Sequence, residues 1–329
     1  MPYEKELSIA ISAIESAVNL CRGVQQNLIA ADTVEKNDRS PVTIADLGTQ
    51  AVVFRAVHRA FPGDALIGEE DSSQLRENAE LLEKVLGLTQ AQDPGISKSG
   101  LLEAIDLGAG ETDYRGRYWT LDPIDGTKGF LRGDQYAIAL GLVENGEVKL
   151  GVLGCPNYPL DPANPDRRGA IFYAVKDTGA YQINLQDGLR KKIAVDGLND
   201  GEKARFCESV EAAHADHDAH ADISAEIGIT QPPYRIDSQC KYAAVARGDA
   251  SIYLRLPRSA SYREKIWDHA AGVIVVQEAG GRVSDFSGNP LNFSLGRKLS
   301  ENTGILASNG ALHDRALRAI AHIQQTLDG

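Results

Sequence analysis

The chain is predicted to be an α/β protein of two lobes, the first α+β (residues 1–157) and the second α/β (residues 158–329). Three observations carry this. The chain opens on a long stretch of helical period, its middle holds two hairpin signals between strand-forming runs, and short apolar strands alternate with helices from about residue 205 onward.

Leu7, Ile11, Ile14, Val18, Cys21, Gln25 and Leu28 recur at spacings of three and four, one face of a long helix ending near Ala31. Residues 32–41 are polar and close in Ser40-Pro41, a loop. Thr43 suits the cap of a second helix that carries Val52, Val53, Val57 and Ala60 and stops at Phe61-Pro62-Gly63, with Asp46 in its first turn. Ala65 to Ile67 is a short buried strand, and residues 73–87 and 98–107 read as surface helices. Strands 137–144 and 147–153 flank Asn145-Gly146, and a second hairpin turns over residues 177–179. Residues 156–166 are rich in Pro and Asn and read as a connection near the lobe boundary. Beyond it come strand 205–210, helix 215–227, strand 234–236, helix 239–247, strand 251–256, helix 268–279, strands 282–285 and 304–307, and a last helix from Ala311.

Length and composition set limits. A chain of 329 residues can bury a large core, and 43% apolar with 24% charged residues is ordinary for a globular protein. A net charge of −12 argues against binding nucleic acid through a basic surface. No signal-peptide core opens the chain and no apolar run of membrane-spanning length is expected, so no membrane partner is predicted. Cys21, Cys155, Cys207 and Cys240 are scattered without a C-x-x-C and read as reduced packing thiols of a cytoplasmic protein. A monomer or weak oligomer is expected.

The most informative stretch is Trp119-Thr-Leu-Asp122-Pro-Ile-Asp125-Gly-Thr127-Lys128. An apolar strand delivers two carboxylates three residues apart around a proline, which fixes its own φ and holds Asp122 extended. Gly126 permits a tight turn and Thr127 is a good N-cap for a following helix. Hard oxygen donors beside backbone N–H groups suit a phosphate held by Mg²⁺.

Asp122-Pro-Ile-Asp-Gly-Thr127 resembles the signature of the inositol monophosphatase superfamily of lithium-sensitive, Mg²⁺-dependent phosphatases. Gly68-Glu69-Glu70-Asp71 and Trp267-Asp268-His-Ala-Ala-Gly272 fit the same pattern, and with Asp46 the resemblance spans residues 40–310. It implies a layered αβαβα sandwich. Alone, Asp46 is an ordinary helix-dipole carboxylate and Asp268 an ordinary N-cap; the resemblance makes both candidates for the metal site. It also singles out Glu69 and adds the carbonyl of Ile124 to Asp122, Asp125 and Asp268 as ligands. Five ionised carboxylates would bring about −5 and repel one another, which two to three Mg²⁺ would relieve. An all-oxygen set selects Mg²⁺, Mn²⁺ or Ca²⁺ over zinc. By resemblance, Glu69 and Thr127 position the attacking water, Asp46 supports Thr127, and Gly126, Thr127 and Asp268 contact the substrate.

Within the superfamily the 3′(2′),5′-bisphosphate nucleotidases are the most similar branch. The resemblance rests on Ser40-Pro-Val-Thr43, Asp237-Ser-Gln-Cys-Lys241, Tyr253-Leu-Arg-Leu-Pro257 and Lys265-Ile-Trp-Asp-His-Ala-Ala-Gly272. It implies removal of the 3′-phosphate from 3′-phosphoadenosine 5′-phosphate, or from the corresponding phosphosulfate, with a bisphosphate nucleotide as the small-molecule partner. A second phosphate out of reach of the metals needs fixed donors. The resemblance assigns it Ser238, Lys241 and Arg255, with His214 near the adenosine and His217 as the alternative. Sulfate assimilation is a family association. An inositol phosphatase on the same fold and a non-catalytic nucleotide- or metal-binding protein are the other readings.

Overall fold

The computed structural model describes residues 2–30, 40–161, 164–210, 217–257, 259 and 261–328. Helices α1 (Glu4–Ala30) and α2 (Ser40–Ala60) lead into a seven-stranded sheet. Its strands are β1 (Ala65–Gly68), β2 (Arg117–Asp125), β3 (Ala137–Glu144), β4 (Glu147–Asp161), β5 (Asn164–Val175), β6 (Gly179–Asn184) and β7 (Arg190–Ile193), in that spatial order. Within this sheet, among the described residues, only β1 and β2 pair in parallel, and helices α3 (Ser73–Glu77), α4 (Ala79–Gln92) and α5 (Lys98–Asp106) lie between them in sequence. The short α6 (Thr127–Arg132) follows β2.

A second, mixed sheet has the order β11-β12-β10-β8-β9. It is built from β8 (Phe206–Glu208), β9 (Tyr234–Arg235), β10 (Ile252–Arg255), β11 (Arg282–Ser284) and β12 (Ile305–Ser308). The helices of this half are α7 (His217–Ile227), α8 (Cys240–Arg247), α9 (Ala270–Glu278) and α10 (His313–Asp328).

Burial explains the layering. On one face of the first sheet, Trp119, Leu121, Ile138, Leu140 and Val152 pack against Ile14, Val18, Val53 and Phe54 of α1 and α2. On the other, Ala139, Leu153 and Phe172 meet Tyr242, Ala243 and Ile274 of α8 and α9, which also touch Tyr253 and Ala307 of the second sheet. The far side of that sheet packs Phe206, Ile252 and Leu306 against Ile223 and Ile227 of α7 and Ala316 and Ile320 of α10. The result is the five-layer αβαβα sandwich. Because both faces of the first sheet are covered, its central strands read as continuous apolar runs rather than as alternation. Asn145 and Gly146, with φ of 55° and 73°, form the hairpin turn of the primed kind expected from Asn-Gly.

Several expectations change. The first lobe was expected to end at 157, which falls inside β4; the change of sheet comes between Ile193 and Phe206. Residues 156–161 and 164–166 are strand; β3 covers β4 only as far as Gly154, and the ladder to β5 slips around Pro159. A proline there removes no required ladder bond. Strand β7, exposed along Arg190, Lys191 and Lys192, is a charged edge with no apolar alternation to announce it. The second helix begins at Ser40, not after Thr43, since a proline in a first helical turn lacks only an N–H that has no partner there. The helices at 73–107 are less superficial than expected: Leu75, Val85, Leu101 and Ile105 form a core with Leu47 and Ala51 of α2. Asn78 interrupts them and caps α4 by accepting from Leu81 N at 3.0 Å. Finally, α1 does contain a 24-residue stretch, Glu4–Asn27, long and apolar enough to cross a membrane. Half of it is buried, with Ala10, Ile14, Ala17 and Val18 enclosed, so its apolar stripe is already covered by α2 and the sheet.

Helix α9 is drawn onto the sheet by Gly151, where a Cβ would meet the Ala271 carbonyl oxygen and Ile274 Cγ2, both at 2.6 Å. G151A is expected to destabilise the protein by about 1–3 kcal/mol, the range for overpacking a tight contact. Denaturant unfolding measures it; an unchanged midpoint would show that α9 can lift without cost.

Candidate active site

Strand β2 runs directly through Asp122-Pro-Ile-Asp125. In a regular strand, residues three apart point to opposite faces. Here Asp122 pairs with Ala139 and Asp125 with Ala137, so β2 carries one residue more than β3 across this interval. That bulge turns both carboxylates toward one cleft, and Pro123 sits where a ladder bond is not needed. Gly126, at φ 91°, is the residue before α6; Thr127 is the first helical residue and not the cap expected. The first helical bond runs from Phe130 N to Gly126 O at 3.0 Å. A Cβ at Gly126 would lie 2.9 Å from Ser238 Cβ, so glycine lets the motif abut the second half of the chain.

Asp46 lies well inside α2, because the helix starts earlier than expected, and so it is not a first-turn dipole carboxylate. It is half-buried beside Glu69 and Glu70. The turn after β1 is held by Gln50 of α2, whose Nε2 donates to Glu70 O at 2.7 Å and whose Oε1 accepts from Glu70 N at 3.1 Å. Glu69 is thereby presented, exposed, at the mouth of the cleft. Asp268 stands in the turn before α9, and His269, not Asp268, is the residue that precedes the helix.

One cleft of about 540 Å³ gathers Glu69, Asp122, Ile124, Asp125, Gly126, Thr127, Ser238, Lys241, Arg255 and Asp268. His214 lies outside the described residues, and of His217 only the backbone, at the start of α7, is described. His220, which sequence reasoning passed over, is buried and lines the cleft with Ser209, Tyr253, Tyr262 and Lys265. Its only sequence signal was membership of a histidine-rich run. A second cavity, about 560 Å³, is lined by Glu147, Lys176, Glu278 and Phe293 among others. Its charges are committed locally: Lys176 pairs with Glu147, and Glu278 accepts from the N–H groups of Asp177, Thr178 and Gly179. The first cleft is therefore the one with chemistry to offer.

That cleft has two electrostatic ends. At the acidic end, burial and then the charges of Glu69, Asp125, Asp268 and Asp46 push the carboxyl of Asp122 well up. Burial and Asp268 push Asp125 up to about 6, against the opposing pull of Lys241, Arg255 and the Gln239 N–H. The surrounding protein, and then Asp268, Glu70 and Asp125, push Glu69 up to about 8. Asp46 is raised by burial, Glu70 and Glu69. At the basic end, Lys241 is 5% exposed, donates to Ser209 Oγ at 3.1 Å and lies 5.3 Å from the Tyr253 ring centre. Arg255 reaches Glu264 Oε2 at 2.8 Å and Asp268 Oδ2 at 3.3 Å. Ser238 adopts φ 67°, a left-handed conformation uncommon for a serine, and its hydroxyl accepts from Cys240 N at the start of α8.

The acidic end fits a divalent cation. Asp122 Oδ1 is buried and, among the described residues, has no hydrogen-bond partner. A buried ionised oxygen is costly without a partner, and the donors around it are all oxygen, as hard cations require.

Acidic residues from three separate elements, the turn after β1, the end of β2 and the turn before α9, share this one cleft, and the chain matches the model of the inositol monophosphatase family over residues 3–325. The chain belongs to that family. It is 46% identical to a 3′(2′),5′-bisphosphate nucleotidase of Oryza sativa, over 97% of this chain and 94% of the relative. It is 42% identical to one of Emericella nidulans, over 98% and 99%. Among solved structures, an inositol monophosphatase from Zymomonas mobilis superposes with a TM-score of 0.66 at 20% identity, covering 98% of this chain and 99% of that one.

The raised carboxyl groups give a signed pH dependence. The Glu69 value of about 8 lies above its ordinary 4.5, so between these limits the cation-free folded state holds more protons than the unfolded state. Stability of the cation-free protein therefore falls as pH rises from about 4.5 to 8, and a bound divalent cation displaces protons and tightens with pH. Calorimetric titration of the cation at pH 7 in two buffers of different ionisation enthalpy checks it. Equal heats in both buffers would mean that no protons leave, and that these carboxylates do not share the cation.

Proposed function

We propose that this protein is a Mg²⁺-dependent phosphomonoesterase that removes the 3′-phosphate from 3′-phosphoadenosine 5′-phosphate, leaving AMP and phosphate. The observation that carries the reading is the two-ended cleft. Carboxylates able to hold cations converge at one end, and Lys241, Ser238 and Arg255 line the other. The nucleotidase relatives support the same substrate class.

In this reading Glu69, Asp122, Asp125, Asp268 and the Ile124 carbonyl hold two to three Mg²⁺, as hard oxygen donors suit that ion. When bound, the ions supply charge neutralisation at the phosphoryl group and acidification of a water. The chain's own residues do the rest. Glu69 and Thr127 orient the attacking water in line with the ester bond, and Asp46 orients Thr127. Gly126 and Thr127 N–H groups, ahead of the first helical bond of α6, hold the ester phosphate. Ser238, Lys241 and Arg255 bind the 5′-phosphate, so that binding energy from the far anion orients the reacting one. A histidine of the 214–220 run borders the adenosine.

The decisive assay compares phosphate release from 3′-phosphoadenosine 5′-phosphate, inositol 1-phosphate and inositol 1,4-bisphosphate with Mg²⁺, with and without millimolar Li⁺. Preference for the nucleotide and inhibition by Li⁺ are expected. Preference for an inositol ester would keep the cation site and retire the nucleotide. D125N should lower turnover by about 10²–10³-fold, as loss of a group that organises charge stabilisation does elsewhere, while leaving the far-UV spectrum intact. K241A should raise KM for the bisphosphate nucleotide well above its effect on 3′-AMP; equal effects on both would count against a second-phosphate role.

A further inference from the structure

Arg255 does not stand alone behind the cleft. Its Nη2 is 2.8 Å from Glu264 Oε2, and that same oxygen is 3.3 Å from His269 Nε2. His269 is wholly buried, and its Nδ1 is 2.7 Å from the Tyr242 hydroxyl. Tyr242 is itself fully enclosed and meets Tyr253 edge-on, 5.0 Å between ring centres. Tyr253 lies two residues before Arg255 on β10 and carries Lys241 Nζ over its ring. Tyr242, His269, Glu264 and Arg255 thus form one chain of polar contacts that starts in the α8–α9 layer and ends in the cleft.

Glu264 is 4% exposed and does not line the cleft. A buried carboxylate in that place needs a reason. Glu264, Asp268 and His269 bring ligand atoms within 4.8 Å of one another, yet a cation there would compete with the guanidinium already in contact with Glu264. The alternative reason lies in Arg255. Its other carboxylate neighbour is Asp268, at 3.3 Å, a member of the acidic end. Without Glu264, Asp268 would be the one carboxylate in contact with the guanidinium among the described residues, and would draw it away from an incoming anion. Glu264 supplies a second, buried counter-charge at the same Nη2, 2.8 Å away against 3.3 Å for Asp268, and His269 and Tyr242 fix Glu264.

We infer that Glu264 is a positioning residue for the second anion of the substrate: it holds the Arg255 guanidinium at the basic end of the cleft against the pull of Asp268. The inference rests on the bisphosphate reading above. It predicts that the residue acts only through Arg255, with no contact of its own to substrate.

The test is a double-mutant cycle with E264Q, which keeps shape and removes charge, in the wild-type and R255A backgrounds. The substrate is whichever bisphosphate the wild type prefers, with its monophosphate counterpart beside it. That preference itself decides the nucleotide reading, so its failure is seen before the cycle begins. E264Q is expected to raise KM for the bisphosphate roughly tenfold, the size of one charge-assisted contact, with a smaller change in kcat and in KM for the monophosphate. In the R255A background the same substitution should add less than about twofold, since the two residues share one interaction. AMP binding measured by calorimetry without cations should weaken in parallel. Y242F, which removes only the far hydroxyl, should shift KM in the same direction by a smaller factor and serves if E264Q does not fold. Equal losses on both substrates, a fall in kcat at constant KM, or full effect of E264Q in R255A would each overturn the assignment.

Discussion

The Gln239 N–H donates to Asp125 Oδ2 at 2.6 Å, and the two halves of the cleft meet at this bond. Asp125 ends β2 of the first sheet, whereas Gln239 opens α8 beneath the second. The same Gln239 donates from Nε2 to Trp267 O at 2.9 Å and accepts at Oε1 from Gly272 N at 3.2 Å. One buried residue therefore fixes the end of β2, the start of α8 and the turn before α9. Asp125, Ser238 and Asp268 inherit their relative positions from it. A matching constraint acts across the cleft: Arg297 contacts Gly68 O, donates to Gly108 O at 3.1 Å and lies 5.0 Å from the Trp267 ring centre. Gly68 precedes Glu69 and Trp267 precedes Asp268, so a single arginine ties together the turns that carry both acids.

Such ties are needed because the site opposes its own assembly. Asp46, Glu69, Asp122 and Asp125 are all raised, first by the desolvating protein around them and next by a neighbouring acid: Glu70 for Asp46, Asp268 for Glu69 and Asp125, and Glu69 for Asp122. Without a cation, some of them hold protons near neutral pH; the scaffold must keep them close regardless. The layers provide that, with large side chains such as Trp119, Tyr118 and Phe54 fully enclosed around the strands and helices that present the acids. Rigid elements, tied together by contacts such as that of Gln239 with Asp125, set the geometry, so that a cation would find its oxygens already arranged.

Much of this was legible in the chain. Elements announced by period or by turn chemistry, α1, the Asn145-Gly146 hairpin and the alternation after residue 205, fall within a few residues of expectation. What failed did so for physical reasons. Ser40-Pro41 reads as a loop until one allows proline in a first helical turn, and that displaced Asp46 along α2. Pro156 and Pro159 read as a break because composition cannot show that β3 leaves this part of β4 uncovered. The motif carboxylates were found through a resemblance, but the bulge that aims Asp122 and Asp125 together shows only in the pairing of β2 with β3. Glu264 and Arg297 carried no local signal, and Gln239, though inside the Asp237–Lys241 stretch, had none for its role, since the partners of the three lie from 5 to 229 positions away.

The charge layout also bears on selectivity. A chain of net charge −12 repels an anionic ester at long range, so attraction must be local and short-ranged. The acidic end becomes attractive to phosphate only through cations, whereas the basic end is attractive without them. In the proposed reading, an ester with one phosphate gains from one end only, and a bisphosphate gains from both. The two ends are not insulated, because Arg255 lies 3.3 Å from Asp268 and lowers that carboxylate's demand for a cation. Charge on Glu264 counters this by dividing the guanidinium's attraction between a buried acid and an accessible one. In that reading the selectivity of the cleft depends on a balance among Glu264, Arg255 and Asp268, in which a residue that does not line the cleft governs how much positive charge the substrate meets.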